Sequence, residues 1–311
     1  MAQQQVFSVN SLGGYLHSDD LTKMVRHSAQ PLMRFRQFVD PDGAVGLHRG
    51  NKFLFDKISN VSTKGGTIAE TSTIPKRNFV VRQGSLTVTE YANGIPFTQK
   101  LEKLSEVSVP DQTKTVLRND MAKVLDSAAA YQFKQADFKM IPTETNAITT
   151  DTDGTASTTS TGNISDHTSR TIIDYLKKNN VPRYDGKNYI AICSTTALRG
   201  IYDYFEIKAY TAGDMKHMVE GEVGTYYGCR FIEETNVLSN TLGSSSATGE
   251  AVFFGGDAVR EGIVVPEEIR IDLPKDFGRD QAIAWYYLGG FKKVWDLSDD
   301  SEFRIIHVTS A

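Results

Sequence analysis

At 311 residues, with 40% hydrophobic and 23% charged side chains, the chain is long enough to build one or two domains around real cores. Its formal net charge of -4 argues against a dedicated nucleic-acid binder, which gathers basic charge on one surface. Cys193 and Cys229, the only cysteines, sit among apolar or aromatic neighbours and are expected as buried reduced thiols; residues 1–5 lack the features of a secretory signal, and no apolar run approaches the roughly 20 residues that cross a bilayer.

Residues 1–50 read as an extended arm with a short helix near Asp19 to His27, capped by Ser18-Asp19-Asp20. Phe35, Phe38 and Val39 then precede Pro41-Asp42-Gly43, whose residue types predict a turn. Next come Phe53-Leu54-Phe55 and the alternating run Leu86 to Tyr91, the expected strands of a hairpin joined by a polar, threonine-rich piece from Ser62 to Asn78. An isolated two-stranded ribbon is marginal in water, so this one is expected to lie on a neighbouring copy. Lys64, Gly65 and Gly66 stand near its tip, where the glycines permit a bend.

From Ser108 the period changes. Ser108-Val109-Pro110-Asp111 is a helix start, and Leu117, Met121, Val124, Ala128 and Tyr131 draw one apolar stripe along a helix that reaches Ala136 and measures roughly 40 Å. Thr143 to Gly162, rich in threonine and serine, is expected as a surface loop or flexible insertion. A helix over Ser165 to Asn179, a buried strand Tyr189 to Cys193 and a helix from Ser194 open what reads as a second domain. Further strands are expected within Gly221 to Asn236, at Ala251 to Phe254 and at Glu261 to Val265, with a serine- and glycine-rich loop from Leu238 to Gly249. Gln281 to Phe291 and Glu302 to Val308 are the last predicted strands, placed beside the long helix.

The sequence holds no catalytic, cofactor or metal motif. The six histidines are scattered singly, and neither a phosphate-cradling glycine loop nor a nucleophile elbow occurs. Asp151-Thr152-Asp153-Gly154 copies the middle of a calcium loop, but Thr149 and Ser160 occupy positions that need carboxylates. Glu233-Glu234 and Asp299-Asp300 are expected to form solvated acidic faces.

The segment Tyr91-Ala92-Asn93-Gly94-Ile95-Pro96-Phe97-Thr98-Gln99-Lys100-Leu101-Glu102, placed before the long helix, resembles a stretch of tailed-bacteriophage major capsid proteins. Gly221 to Gly224, Gly228 to Thr235 and Phe254 to Ala258 are similar to the distal domain of the same family. The order of elements extends the resemblance over essentially the whole chain, with coat proteins of short-tailed phages related to phage N-four as the nearest kin.

That resemblance implies an α+β, Hong Kong 97-type capsid fold: an N-terminal arm at 1–50, an extended β-hairpin loop at 51–104, a spine helix and peripheral domain at 105–164, a compact axial domain at 165–277, and return strands of the peripheral domain at 278–311. It implies a non-enzymatic protein that forms homopentamers and homohexamers and tiles an icosahedral head around double-stranded DNA. The implied partners are further copies, a separate scaffolding protein (the arm starts at Met1 without a long scaffolding segment), a portal protein, a decoration or cement protein, and DNA held by weak nonspecific contact. The implied location is the virion, after assembly in the host cytoplasm. Loops at Tyr204 to His217 and Leu238 to Gly249 would face local symmetry axes. Lys57, Lys64 and Lys76 lie in or near the extended loop, where some relatives cross-link covalently; large non-covalent interfaces are the expected source of stability here. The alternatives are an encapsulin-like compartment shell, another virion structural protein, or a hydrolase using Asp203, Asp214 and His217.

Overall fold

The computed structural model describes residues 28–42, 50–59, 61, 65–105, 108–143, 147–202, 224–239, 249–273, 276–300 and 302–310. The expected helix at Asp19 to His27, Lys64, the loop Tyr204 to His217 with Asp203 and Asp214, and most of the loop between Leu238 and Gly249 lie outside these residues.

A seven-stranded mixed sheet forms the larger body. Its strands are β5 (Phe138–Pro142), β6 (Ile148–Asp151), β7 (Tyr189–Cys193), β8 (Thr225–Tyr226), β9 (Cys229–Glu233), β10 (Gly249–Phe254) and β13 (Ile305–Ser310), in the order β6-β5-β13-β10-β7-β9-β8. Because side chains alternate across a strand, successive residues of one apolar run serve two cores. Ile190, Ile192, Val252 and Phe254 enter one cluster, while Tyr189, Ala191, Cys193, Ala251 and Phe253 enter the other. Helix α3 (Asp166–Lys178) covers the second face through Ile172, Ile173 and Leu176; its N-cap Ser165 accepts a hydrogen bond from the Thr168 amide at 3.3 Å. Residues 195–202 form a further helix whose Ala197, Leu198 and Ile201 join the same cluster. Strands β8 and β9 turn through Tyr227 (φ 52°) and Gly228 (φ 83°), the doubly left-handed geometry that suits a two-residue hairpin.

A second, four-stranded sheet runs β1-β11-β12-β4, from β1 (Asp40–Asp42), β4 (Thr89–Thr98), β11 (Val259–Ile271) and β12 (Asp280–Lys293). Pro41 and Asp42 are therefore strand residues paired in parallel with Glu261 and Gly262, where a turn was expected. Edge position explains it: proline lacks a donor and is tolerated where one side of the strand needs none. Helix α1 (Gln99–Leu104) follows β4, and the 26-residue α2 (Val109–Lys134), about 39 Å long, packs across the sheet.

The expected stripe on α2 is only partly right. Leu117 is buried, and Met121, Val124 and Ala128 are half-buried against the core, but Tyr131 is 58% exposed. Leu125, Ala129 and Phe133 take the buried positions in its second half. Residues four apart precess by about 40° per step on a 3.6-residue helix, so the buried line winds round α2 and ends under Phe35 and Phe254, whose rings lie 5.4 and 4.7 Å from that of Phe133. Ser108 caps differently as well: its hydroxyl donates to the Asp111 carboxylate at 2.8 Å rather than accepting from the backbone.

The threonine-rich stretch after Thr143 is not merely a loop, since Ile148–Asp151 is the edge strand β6 paired with β5. Threonine favours a pleated, half-buried position, which composition alone conceals. Strands β5, β6 and β13 share a sheet with β7, β9 and β10, and β11 pairs with β12, so each sheet draws on more than one of the expected segments. Strand β13 lies between β5 and β10, parallel to the first and antiparallel to the second.

Candidate assembly surface

The hairpin expected to protrude is β2 (Lys52–Ile58) against β3 (Val81–Thr87), in register from Lys52↔Thr87 to Ile58↔Val81. Thr89 to Tyr91, expected in its second strand, instead open β4 and pair with β12. The alternating pattern runs through both strands without a break, because Val88 donates its amide to Asn51 and the chain changes partners there. Periodicity marks a strand but not its neighbour.

One end of the ribbon is fixed. Leu86, 2% exposed, faces two glycines of the main sheet: a Cβ on Gly290 would meet the Thr87 carbonyl oxygen at 2.5 Å, and one on Gly262 would meet Leu86 and Phe53 at 3.1 and 3.2 Å. Lys57 is buried, donating to the Asp300 carboxylate at 2.5 Å and the Val294 carbonyl at 3.0 Å. Arg82 approaches the same carboxylate at 3.8 Å. Lys57 is thus withdrawn from any loop chemistry, and Asp300 is no solvated acid. Such a pair positions an element; leaving either charge alone in that setting is costly.

The described part of the connection beyond these strands stands exposed. Gly65 and Gly66 are exposed, have no left-handed φ, and a Cβ on either would meet nothing within 4 Å. The Ser62 to Asn78 connection was expected to be polar and threonine-rich, yet Ile68, Ile74, Phe79, Val80 and Val81 along and beside it are apolar and 46–70% exposed. Apolar surface gathered on one projection marks a contact site rather than a stable free surface.

The arm is held by a second charged cluster that the sequence did not reveal. Arg36 donates to Glu261 at 2.8 and 3.2 Å and also pairs with Glu267, while the Tyr287 hydroxyl donates to Glu261 at 2.8 Å. Burial opposes the guanidinium charge, but the two carboxylates outweigh it and raise the Arg36 pKa; burial, then Glu261, push the Tyr287 hydroxyl up. Glu234 is likewise buried rather than solvated: it accepts the amides of Asn236, Val237 and Leu238 at 2.5, 2.9 and 3.1 Å, and burial raises its pKa despite them. Both cysteines are free and buried, as expected, with their thiols pushed up by desolvation.

Among the described residues, no group of three or more His, Cys, Asp or Glu is arranged to hold a metal ion. Asp151 and Asp153 instead accept the amides of Ser157 and Thr155 in a turn. No helix among these residues is long and apolar enough to cross a membrane.

No family model matches the chain, and no curated protein matches it in sequence. Solved structures do match. The capsid of cyanophage P-SCSP1u superposes with a TM-score of 0.70 at 9% identity, covering 96% of this chain and 94% of that one. The head of Helicobacter pylori bacteriophage KHP40 gives 0.69 at 12% identity over 100% and 99% of the two chains, and the capsid of Ralstonia phage GP4 gives 0.68 at 12% over 98% of each. Near-complete coverage of unrelated-looking sequences is a statement about architecture, and the resemblance first seen at Tyr91 to Glu102 therefore holds at the level of the fold: this chain is folded as a phage capsid subunit.

Proposed function

We propose that the chain is the major capsid protein of a tailed phage, a non-enzymatic subunit that associates with its own copies as pentamers and hexamers to enclose double-stranded DNA. The observation that carries this reading is a capsid fold spanning the chain from end to end. The exposed apolar hairpin adds to it, since strands anchored at Leu86 and Lys57 that carry an exposed apolar connection are suited to lie on a sibling.

In this reading the fold is of the Hong Kong 97 type. The β2–β3 ribbon with residues 65–80 is the extended loop, α2 is the spine helix of the peripheral domain, and the seven-stranded sheet belongs mainly to the axial domain. Gly65 and Gly66 serve the bend of the loop in the assembled state. A separate scaffolding protein, a portal, a decoration protein and weakly held DNA complete the partners, and the virion is the location. Electron microscopy of the purified chain, with and without a candidate scaffold, tests the proposal. Closed icosahedral particles or capsomer rings support it, and a monomer that persists at high concentration with every scaffold overturns it.

A further inference from the structure

The turn between β11 and β12 carries apolar surface that its own chain leaves bare. Leu273 is 82% exposed and Phe277 is 107% exposed, so the Phe277 ring gains nothing from packing within the subunit. Asp276, Phe277 and Gly278 have consecutive left-handed φ values of 48°, 57° and 91°. That region is uncommon for a bulky residue, and here it presents an aromatic ring to solvent with no burial in return. Beside it stands Arg279, 78% exposed, with Nη1 3.3 Å from the Asp276 carboxylate.

The same end of the sheet holds a cleft of about 430 Å³ where β4 meets α1. Pro96, Phe97 and Ala282 give it apolar walls, and Asp272 and Asp280 give it two carboxylates. Backbone hydrogen bonds from Asp272 to Ala282 and from Gln99 to Arg279, both 2.9 Å, fix its sides.

We propose that Phe277 is a plug that seats in this cleft on a second copy of the chain, with Arg279 meeting Asp280. The proposal rests on the shell reading and goes beyond it by naming one inter-subunit contact. Tip and cleft complement each other twice: an aromatic ring against apolar walls, and a cation against the Asp280 carboxylate. One chain carries both halves and its own Phe277 is fully exposed, so the contact joins copies, reciprocally in a pair or head-to-tail in a ring. Either arrangement satisfies one tip and one cleft per copy. A different protein would have to reproduce this pairing by itself, whereas a sibling already owns it.

The test places the photoreactive residue p-benzoylphenylalanine at position 277 in particles assembled from an equal mixture of ¹⁴N and ¹⁵N subunits. Irradiation is expected to join position 277 to residues 96–98 or 280–282, with mixed light and heavy peptide pairs proving that two copies are involved. Cross-links confined to one copy, to another region of the neighbour, or to a different protein overturn the plug. Phe277→Asp is expected to leave the subunit's melting temperature unchanged and to lower particle yield about tenfold or more; wild-type yield would refute the proposal. Arg279→Asp is expected to lower yield as well, and Asp280→Arg in the same chain to restore it. Shells that form while position 277 cross-links elsewhere defeat the plug alone, whereas a wild type that never forms shells defeats the functional reading together with it.

Discussion

The seven-stranded sheet and the β2–β3 ribbon are made of similar strand-forming sequence, yet they end in opposite conditions. Ile192 and Phe253 are fully buried because both faces of their sheet are covered within the subunit, whereas Leu54, Ile58 and Val81 of the ribbon are 59, 65 and 53% exposed. A hydrophobic strand specifies that it must be covered without specifying by whom. The sheet finds its cover in α3 and α2, while the ribbon, held near Leu86 and Lys57, leaves these side chains exposed.

The sharpest way to break this contrast is to empty the sheet. Phe253→Ala is expected to cost the isolated subunit about 3–5 kcal/mol in urea denaturation, the range for a large buried aromatic. Asp300→Ala leaves Lys57 buried and unpaired, with an expected cost of about 3–5 kcal/mol at that joint. Amide exchange will show whether it falls locally, as lost protection in residues 52–58 and 81–87 while β7 and β10 stay protected; the double variant Lys57→Met with Asp300→Leu is expected to recover most of it.

Acid gives a third separation. His307 lies buried in β13 with no hydrogen-bond partner among the described residues for either ring nitrogen, its Nε2 3.9 Å from the Glu250 carboxylate; burial, opposed by Glu250 and reinforced by Lys139 and Lys134, pushes its pKa from 6.5 down to about 4. Between those values the unfolded chain takes up a proton that the folded chain refuses, so stability is complete above pH 6.5 and falls as pH falls, by about 3 kcal/mol once below pH 4. Glu250, held below its ordinary pKa by Lys134 and the Ser239 amide against burial, adds a loss in the same direction at still lower pH. Urea midpoints at pH 7 and pH 5 are expected to differ less in His307→Asn than in the wild type. Equal differences would show that His307 is not the source.

The smallest expected effect on the subunit falls in the ribbon. Ile74→Ser, or valine at both Gly65 and Gly66, is expected to change subunit stability by less than about 0.5 kcal/mol, since none of these side-chain positions is packed. Particle formation is expected to fall sharply in both, read by sedimentation. Normal assembly of the glycine variant would dismiss the hinge.

The elements with strong periodicity were legible in the sequence: α2, α3, β7 and β12 lie where their patterns put them, and the resemblance carried by Tyr91 to Glu102 implied the capsid-like, mixed helix-and-strand fold. What was not legible depends on partners far apart in the chain. The jump of alternating sequence from β3 to β4, the pairing of Pro41 with Glu261, and the winding burial on α2 all follow from which surface arrives opposite, a fact absent from any local window. The acidic residues show the same limit most clearly. Glu234 and Asp300 look like solvated charges beside another carboxylate in sequence, and only the backbone amides of 236–238 and the ammonium of Lys57, 243 positions away, draw them inside. No short motif marks the proposed assembly surface, because exposed apolar side chains on a hairpin carry no local pattern of their own.

The place of β13 sets an order of events on the ribosome. It fills the middle of its sheet, yet it is the last of the seven strands to be synthesised, so until it emerges the nascent chain holds two unfinished ribbons, β6-β5 and β10-β7-β9-β8, with bare edges facing each other. A polypeptide whose residues 305–310 have not emerged therefore cannot close this sheet, and the body reaches its final form only with the insertion of its last strand.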